Sequence, residues 1–208
     1  MKAHTKETQS TMSPQKALQF LKEGNERFQN NLKANRNLLQ QVNETKDGQF
    51  PFATILSCID SRVSAELVFD QGLGDIFSIR IAGNFVNQDI LGSMEFACKL
   101  AGTKLIVVLG HTSCGAVKGA CDHARLGNLT SLINKIEPAV YATKEPKDEE
   151  LRNSKNSDFV DAVAVKNVEM ALENIRNQSV ILKEMEQKGE IAIVGAMYDL
   201  SDGKVTFL

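Results

Sequence analysis

The sequence lacks the features that mark membrane proteins and nucleic-acid-binding proteins. Its 208 residues contain no apolar run approaching the roughly 20 residues of a membrane-spanning helix. The formal net charge is -2 and no basic stripe is visible, which argues against DNA or RNA as a partner. Internal repeats and low-complexity segments are also absent. The length and composition therefore indicate one globular domain with a sizeable core.

The N-terminal segment lacks the apolar stretch of a secretory signal. Residues 1–12 are polar, so we predict a flexible N-terminal arm and a cytoplasmic location. A processed form of an exported protein would be compatible with the same sequence. Residues 13–208 are predicted to form a single domain.

Cysteine is scarce, and its positions are more informative than its number. The chain has four cysteines, an even count that would permit two disulfides. However, the chain is not small, it carries no secretory signal, and Cys58 and Cys114 follow predicted strands. Thiols used for metal binding or catalysis are the better interpretation. Cys98 lies in an apolar helical pattern and is predicted to be a core residue, and Cys121 is predicted to be an ordinary helix residue.

Short apolar runs alternate with helical patterns along the chain. We predict strands at 52–57, 75–81, 105–109, 190–197 and 205–208. We predict helices at 14–29, 65–69, 89–100, 114–123, 128–141 (interrupted by Pro138), 158–177 and 180–188. The pattern at 32–47 is helical or irregular, and 145–156 is predicted to be a loop. The fold class is therefore α/β, with a mainly parallel central sheet of four to five strands flanked by helices, the last strand being antiparallel.

The strand at 105–109 and the residues after it are the most informative stretch. Its unbroken apolar run is typical of a strand buried on both faces. Gly110 ends the run, and His111 and Cys114 follow in a His-x-x-Cys spacing. Because ligands of open parallel sheets bind outside the carboxyl ends of the strands, an imidazole and a thiol here can begin a metal site.

A second strand end carries a similar set of polar groups. The strand at 52–57 leads into Cys58, Asp60 and Arg62. If the two strands are neighbours, Cys58 converges with His111 and Cys114, and these side chains would supply three ligands for zinc with one position open. The alternative is three unrelated residues: a core thiol, a loop histidine and a thiol at a helix start. Three candidate ligands at two strand ends favour the metal site.

Asp60 and Arg62 also allow two interpretations. They could form an ordinary surface ion pair of little energetic value. Beside a metal, Arg62 would keep Asp60 ionised, and Asp60 could accept a hydrogen bond from a metal-bound hydroxide or itself occupy the open position. Cys121 is a poor fourth ligand, because a regular helix would place it about 10 Å beyond Cys114 along the axis.

These motifs resemble the β class of carbonic anhydrases. The resemblance rests on C-I-D-S-R at 58–62, H-T-S-C-G-A at 111–116, L-K-E-G-N-E-R-F at 21–28 and G-D-I-F-S-I-R-I-A-G-N at 74–84. It covers roughly 14–207. It implies one Zn²⁺ per chain and reversible hydration of carbon dioxide to bicarbonate and a proton by attack of zinc-bound hydroxide. It also implies an N-terminal helical arm that packs on a partner subunit in a homodimer, with tetramers common.

The resemblance also assigns residues by position. It implies that Cys58, His111 and Cys114 bind zinc, and that Asp60 and Arg62 form the catalytic dyad. Gln49 matches a glutamine that reaches the neighbouring subunit's site and helps to hold substrate. The other residues placed at the substrate pocket are Val63, Phe77, Ala82, Gly83, Phe96 and Gly115, of which Ala82 and Phe96 replace a larger aliphatic residue and a Tyr of some members. The chain has no Trp, so the non-catalytic bicarbonate site that one subgroup builds with a Trp cannot be built in the same way here.

Two thiolates in the ligand set predict a pH dependence. They would neutralise the formal charge of the zinc ion, so its water should be less acidified than with three histidines, and activity should rise toward alkaline pH. Two rival functions use the same residues. One is hydrolysis of carbon disulfide or carbonyl sulfide, and the other is a non-catalytic zinc module closed permanently by Asp60.

Overall fold

The fold was analysed in a computed structural model that describes residues 2–208. The five strands are β1 (Ala53–Ser57), β2 (Ile76–Arg80), β3 (Leu105–His111), β4 (Ala192–Tyr198) and β5 (Val205–Phe207). The helices are α1 (Lys6–Ser10), α2 (Pro14–Gln29), α3 (Leu38–Thr45), α4 (Ala65–Val68), α5 (Gln88–Glu95), α6 (Gly115–Cys121), α7 (Gly127–Ala142), α8 (Ser157–Gln178) and α9 (Val180–Gln187). A π-helical turn (Phe96–Leu100) extends α5, and a 3₁₀ turn (Glu149–Leu151) precedes α8.

The strands form one sheet in the order β2-β1-β3-β4-β5. The first four are parallel, and β5 runs antiparallel to β4. This confirms the predicted α/β class and the antiparallel last strand. In the register of the central pair, Ser57 of β1 lies opposite Leu109 of β3, so Cys58 and His111 follow at the same edge of the sheet.

Helices cover both faces of the sheet, which is why β1 and β3 are buried along their whole length. Leu105, Val107 and Leu109 point into a core shared with α2 and α4. Ile106 and Val108 point into a second core shared with α5, α8 and α9. A third cluster lies between α6, α7 and α8 and includes Cys58 and Cys114. The candidate ligand residues Cys58 and Cys114 therefore lie against apolar side chains of these helices.

Some elements differ from the sequence prediction. Helix α7 continues through Pro138, because buried residues on both sides, such as Ile136 and Val140, hold the two halves in one packed helix. Only Leu38–Thr45 of the weak 32–47 pattern is helical, beginning at the side-chain cap Asn37. Ser13 and Pro14 begin α2 as N-cap and first residue, as predicted.

The N-terminal residues contact the rest of the chain. Helix α1 is followed closely by α2, and the buried Gln9 side chain donates to the carbonyl oxygens of Pro51 and Ala101 at 2.7 and 2.8 Å. The division into an arm at 1–12 and a domain at 13–208 stays a prediction, and Met1 lies outside the described residues. Within 2–208, none of the helices has both the length and the apolar character that crossing a membrane requires.

Candidate metal centre

Three potential metal ligands come together at the carboxyl ends of β1 and β3. Cys58 follows β1, His111 ends β3, and Cys114 is the N-cap residue of α6. One ligand atom from each lies within 4.8 Å of the other two, and all three residues are buried. The parallel register of the central strands brings Cys58 to the His-x-x-Cys turn, so the predicted convergence is confirmed.

The His111 ring has a defined tautomer. Its Nδ1 lies 2.9 Å from the carbonyl oxygen of Thr112. A carbonyl oxygen can only accept, so Nδ1 carries a proton, and in the neutral ring Nε2 keeps its lone pair. That Nε2 is buried and has no hydrogen-bond partner among the described residues. A buried, unpartnered nitrogen beside two thiols is what a metal ligand requires.

The two thiols have a separation that suits a tetrahedral ion. Cys58 Sγ and Cys114 Sγ are 3.9 Å apart. Sulfurs at about 2.3 Å from a tetrahedral zinc would be about 3.8 Å apart. The hydrogen bond with Cys114 lowers the pKa of Cys58 to about 4. The same bond, with burial, raises the pKa of Cys114 above its usual range, so a bound cation would displace the shared proton. The donor set fits zinc.

Asp60 is held by Arg62 rather than by the ligand cluster. Arg62 donates from Nε to Oδ1 at 2.9 Å and from a terminal nitrogen to Oδ2 at 2.7 Å, and its backbone N–H adds a third bond at 3.0 Å. These hydrogen bonds hold the pKa of Asp60 well below the usual carboxyl range. Among residues 2–208, the cluster of mutually close ligand atoms comprises only the two thiols and the imidazole.

Arg80 is a neighbour of the centre that the sequence did not single out. This last residue of β2 donates from Nε to the carbonyl oxygen of Cys58 at 3.0 Å, and from a terminal nitrogen to the carbonyl oxygen of Asp60 at 2.7 Å. One guanidinium therefore fixes the backbone on both sides of Ile59. The only sequence signal is that Arg80 falls in the family-like stretch at 74–84.

Helix α8 supplies two further contacts that sequence reasoning missed. Asp161 accepts from the backbone N–H of Ser113 at 2.8 Å, inside the turn between His111 and Cys114. Ser113 has a φ of 54°, a left-handed conformation that a non-glycine residue adopts at a cost. Asn167 donates to the carbonyl oxygen of Gly83 at 2.8 Å. Both residues lie far along the chain from the motifs, and no local pattern marks them.

Two aromatic residues predicted for the substrate pocket contact each other away from the ligand cluster. The rings of Phe77 and Phe96 meet edge to face with centroids 6.3 Å apart. They line a cavity of about 690 Å³ between β2 and α5, and Cys58, His111 and Cys114 do not line it. Phe96 is 54% exposed. Gln49 is exposed on the segment before β1.

The other predicted pocket residues are divided between core and surface. Val63 is fully buried in the core under α2 and α4. Ala82 is half-buried, and Gly83 donates its N–H to Cys58 Sγ at 3.4 Å. Gly115 is exposed at the start of α6, and nothing lies within 4 Å of where its Cβ would be. The pocket roles of these residues stay predictions.

The remaining cysteines are separate from the centre. All four cysteines are free. Burial raises the pKa of both Cys98 and Cys121 to about 11. Cys98 lies 3.3 Å from the hydroxyl oxygen of Thr103 in the core between the sheet and α5. These thiols are neutral core groups.

The chain can now be placed among known proteins. Residues 53–205 match a family model described as carbonic anhydrase. Carbonic anhydrase 2 of Mycobacterium tuberculosis is 36% identical, over 92% of this chain and 91% of the relative. The β-carbonic anhydrase CafA of Aspergillus fumigatus gives a TM-score of 0.71 at 26% identity, covering 82% of this chain and 81% of that one. One of two tetrameric β-carbonic anhydrases of Sordaria macrospora shares the fold, with a TM-score of 0.70 at 24% identity over 78% and 83% of the two chains. The chain therefore belongs to the β-carbonic anhydrase family of enzymes.

Proposed function

We propose that this chain catalyses the reversible, zinc-dependent hydration of carbon dioxide to bicarbonate and a proton. Cys58, His111 and Cys114 would hold one zinc ion. The observation that carries the proposal is the buried Nε2 of His111, which lacks a partner beside two thiols 3.9 Å apart. Membership of the carbonic anhydrase family supports the same reaction.

The dyad has a defined part in the proposed reaction. When bound, zinc supplies a Lewis acid that makes hydroxide available near neutral pH. Arg62 keeps Asp60 ionised, so its carboxylate can accept a hydrogen bond from the nucleophile and orient it toward carbon dioxide. Because both Asp60 oxygens are engaged by Arg62, we infer a fourth position open to the nucleophile.

The proposed substrate pocket involves a second copy of the chain. Strand β2 is an edge strand, and the exposed Phe96 and Leu100 lie on the adjoining helical segment. An unpaired strand beside exposed apolar side chains suits a protein partner. We propose a homodimer through this face, with Phe77, Phe96 and Gln49 contributing to the partner's pocket. The Sordaria macrospora neighbour, described as tetrameric, supports assembly in this fold.

The proposed ligand set leads to a pH dependence. Two thiolates cancel the formal charge of the ion, so hydroxide forms less readily than with three neutral histidines. We expect hydration activity to rise toward alkaline pH. A profile that stays flat between about pH 6 and 9 would contradict this charge argument, because the usual titration lies near 7.

The experiment is stopped-flow carbon dioxide hydration from about pH 6.5 to 9, a range around the usual titration near 7. Zinc content is measured on the same samples. We expect about one zinc per chain and fast hydration, with both lost in Cys58→Ser. The matched control is Cys98→Ser, which changes a buried thiol outside the ligand cluster and should keep zinc and activity.

Two results would redirect the assignment. Full zinc with no hydration at any pH would contradict the proposal and favour a centre closed by Asp60. Sulfide release from carbon disulfide or carbonyl sulfide, without hydration, would instead identify a hydrolase on the same residues. We propose a cytoplasmic location, since all four thiols are free, as in a reducing compartment.

A further inference from the structure

A chain of two hydrogen bonds connects α8 to one of the metal-binding thiols. The Asn167 amide donates from Nδ2 to the carbonyl oxygen of Gly83 at 2.8 Å. The backbone N–H of Gly83 in turn donates to Cys58 Sγ at 3.4 Å. Asn167 is only 4% exposed, so this amide–carbonyl bond is shielded from water. In this chain of hydrogen bonds, only Gly83 lies between the Asn167 amide and the Cys58 sulfur.

The conformation of the loop that carries Gly83 depends on hydrogen bonds from other residues. Gly83 has a φ of 76°, and an added Cβ would lie 2.3 Å from Ile136 Cδ1, so only glycine fits. Glycine is also the residue with the widest choice of backbone conformations, so its orientation must be fixed from outside. Ile81 and Asn84 hold the loop through backbone bonds, from Ile81 N–H to Ser57 and from Asn84 N–H to Ile81. Asn167 is the side chain that holds the Gly83 carbonyl itself.

The geometry points to Asn167 as a positioning residue for Cys58. By holding the Gly83 carbonyl, it keeps the Gly83 N–H directed at the sulfur. A hydrogen bond to a thiolate stabilises its negative charge and weakens its donation to a metal ion. Asn167 therefore sets how electron-rich Cys58 is as a ligand, and this role rests on the proposed metal site.

Loss of the Asn167 donor should have two measurable effects. Cys58 would donate more strongly, which moves the sulfur-to-metal charge-transfer band of the cobalt-substituted protein to longer wavelength. The ligand would also be less well oriented, so the apparent metal affinity should fall about tenfold, as is usual for the partners of metal ligands. If Asn167 only filled space, its replacement would not move the charge-transfer band.

The test compares Asn167→Leu with Asn174→Leu. Both asparagines lie on α8 and line the same cavity of about 580 Å³, so the chemical change is matched. Asn167→Ala is a second variant that only removes atoms beside the cavity and serves if the leucine disturbs folding. The readouts are the cobalt spectrum, zinc affinity by chelator competition, and thermal unfolding of each protein.

The expected result is a band at longer wavelength and weaker zinc binding in both Asn167 variants, with Asn174→Leu like the wild type. Asn167 variants that fold, bind cobalt and keep the wild-type band would overturn the inference while leaving the proposed function intact. A wild-type protein that shows no thiolate-to-cobalt band would overturn both. The spectrum of the wild type therefore distinguishes failure of the function from failure of the inference.

Discussion

At the residue scale, the state of the Asp60 carboxylate depends on a single neighbour. Three hydrogen bonds from Arg62 lower its pKa, although Arg62 itself is 57% exposed. An exposed ion pair contributes little to folding stability. We therefore expect Arg62 to matter for the chemistry of the site more than for the fold.

Replacing Arg62 should change the pH dependence of activity. In Arg62→Gln the pKa of Asp60 returns upward toward the ordinary carboxyl range, because the two side-chain hydrogen bonds that lower it are lost. The ionised form that the reaction needs then disappears at a higher pH as the solution is acidified. We expect an activity loss of about 10- to 100-fold, and a further fall in activity as the pH approaches the ordinary carboxyl pKa of about 4, both measured by stopped-flow hydration.

The control for this prediction is Arg125→Gln. Arg125 pairs with Glu137 at 2.9 Å and is not among the residues that contact Asp60. The Arg125→Gln substitution should leave the pH profile of activity unchanged. An Arg62→Gln profile that superimposes on that of the wild type would remove Arg62 from the proposed mechanism.

Residues of the centre differ in how well the sequence could predict them. Cys58, His111 and Cys114 were predictable to converge, since each stands at the end of a buried strand or one turn after it. Arg80 and Asn167 were not, because their hydrogen bonds go to backbone atoms of residues 22 and 84 positions away. Any polar side chain can bond a carbonyl oxygen, so the residue type carries no signal of the contact.

At the element scale, α2 packs on the turn after α4 without room for a side chain. A Cβ added at Gly24 would lie 1.8 Å from the backbone oxygen of Phe69. Nearby, buried Asn25 donates to the carbonyl oxygens of Val68 and Gly203 at 3.0 and 2.9 Å. The glycine therefore sets the distance between α2 and the turn after α4, and this close approach lets Asn25 reach the two carbonyl oxygens.

Gly24→Ala should be strongly destabilising. The added methyl would meet backbone atoms of Phe69, which cannot move aside as a flexible side chain can, so α2 must shift away from the turn after α4. We expect a loss of about 3 kcal/mol in the free energy of unfolding, measured by urea denaturation. Gly48→Ala is the control, because its nearest neighbour would be a ring atom at 3.6 Å. It should change stability by less than about 0.5 kcal/mol, and equal losses in the two variants would contradict the packing argument.

Strands and helices were predictable where the hydrophobic pattern of the sequence agreed with the packing of those residues in the fold. The strands at 105–109 and 190–197 and the long helix near 158–177 were confirmed within a few residues. The break expected at Pro138 is absent, because tertiary packing along α7 outweighs the missing N–H. The π-helical turn at 96–100 was also unforeseen, since π and α turns share the same short-range apolar pattern.

At the scale of the whole molecule, one edge of the sheet is left open. Strand β5 is short, whereas β2 has five residues, and within residues 2–208 no strand pairs with its outer edge. The α/β class was predictable from the alternation of strands and helices. The surface proposed for a partner at the β2 edge was not, because exposed apolar residues look like core residues in a sequence.

Leu100→Glu should disturb the proposed dimer. Leu100 is 76% exposed at the end of the segment that carries Phe96, and a charge there would have to be buried on association. We expect sedimentation to show a shift toward monomer, with lower activity because the proposed pocket draws residues from both copies. Leu126→Glu changes a residue that is 71% exposed on the α6–α7 connection and should leave assembly intact. A dimer that persists in Leu100→Glu would place the interface elsewhere.

The position of the ligand cluster has a consequence for how the protein would acquire the proposed zinc ion. Cys58 directly follows β1 and His111 ends β3, two central strands whose order comes from apolar cores on both faces, so we expect the fold to form without the metal ion. Gain and loss of the proposed zinc ion would then be an equilibrium between two states of the same fold. The active fraction of the protein would follow the free zinc concentration by mass action, with half of it active when that concentration equals the dissociation constant. In a zinc-poor cell the folded protein would persist as an inactive reserve, ready as soon as zinc returns.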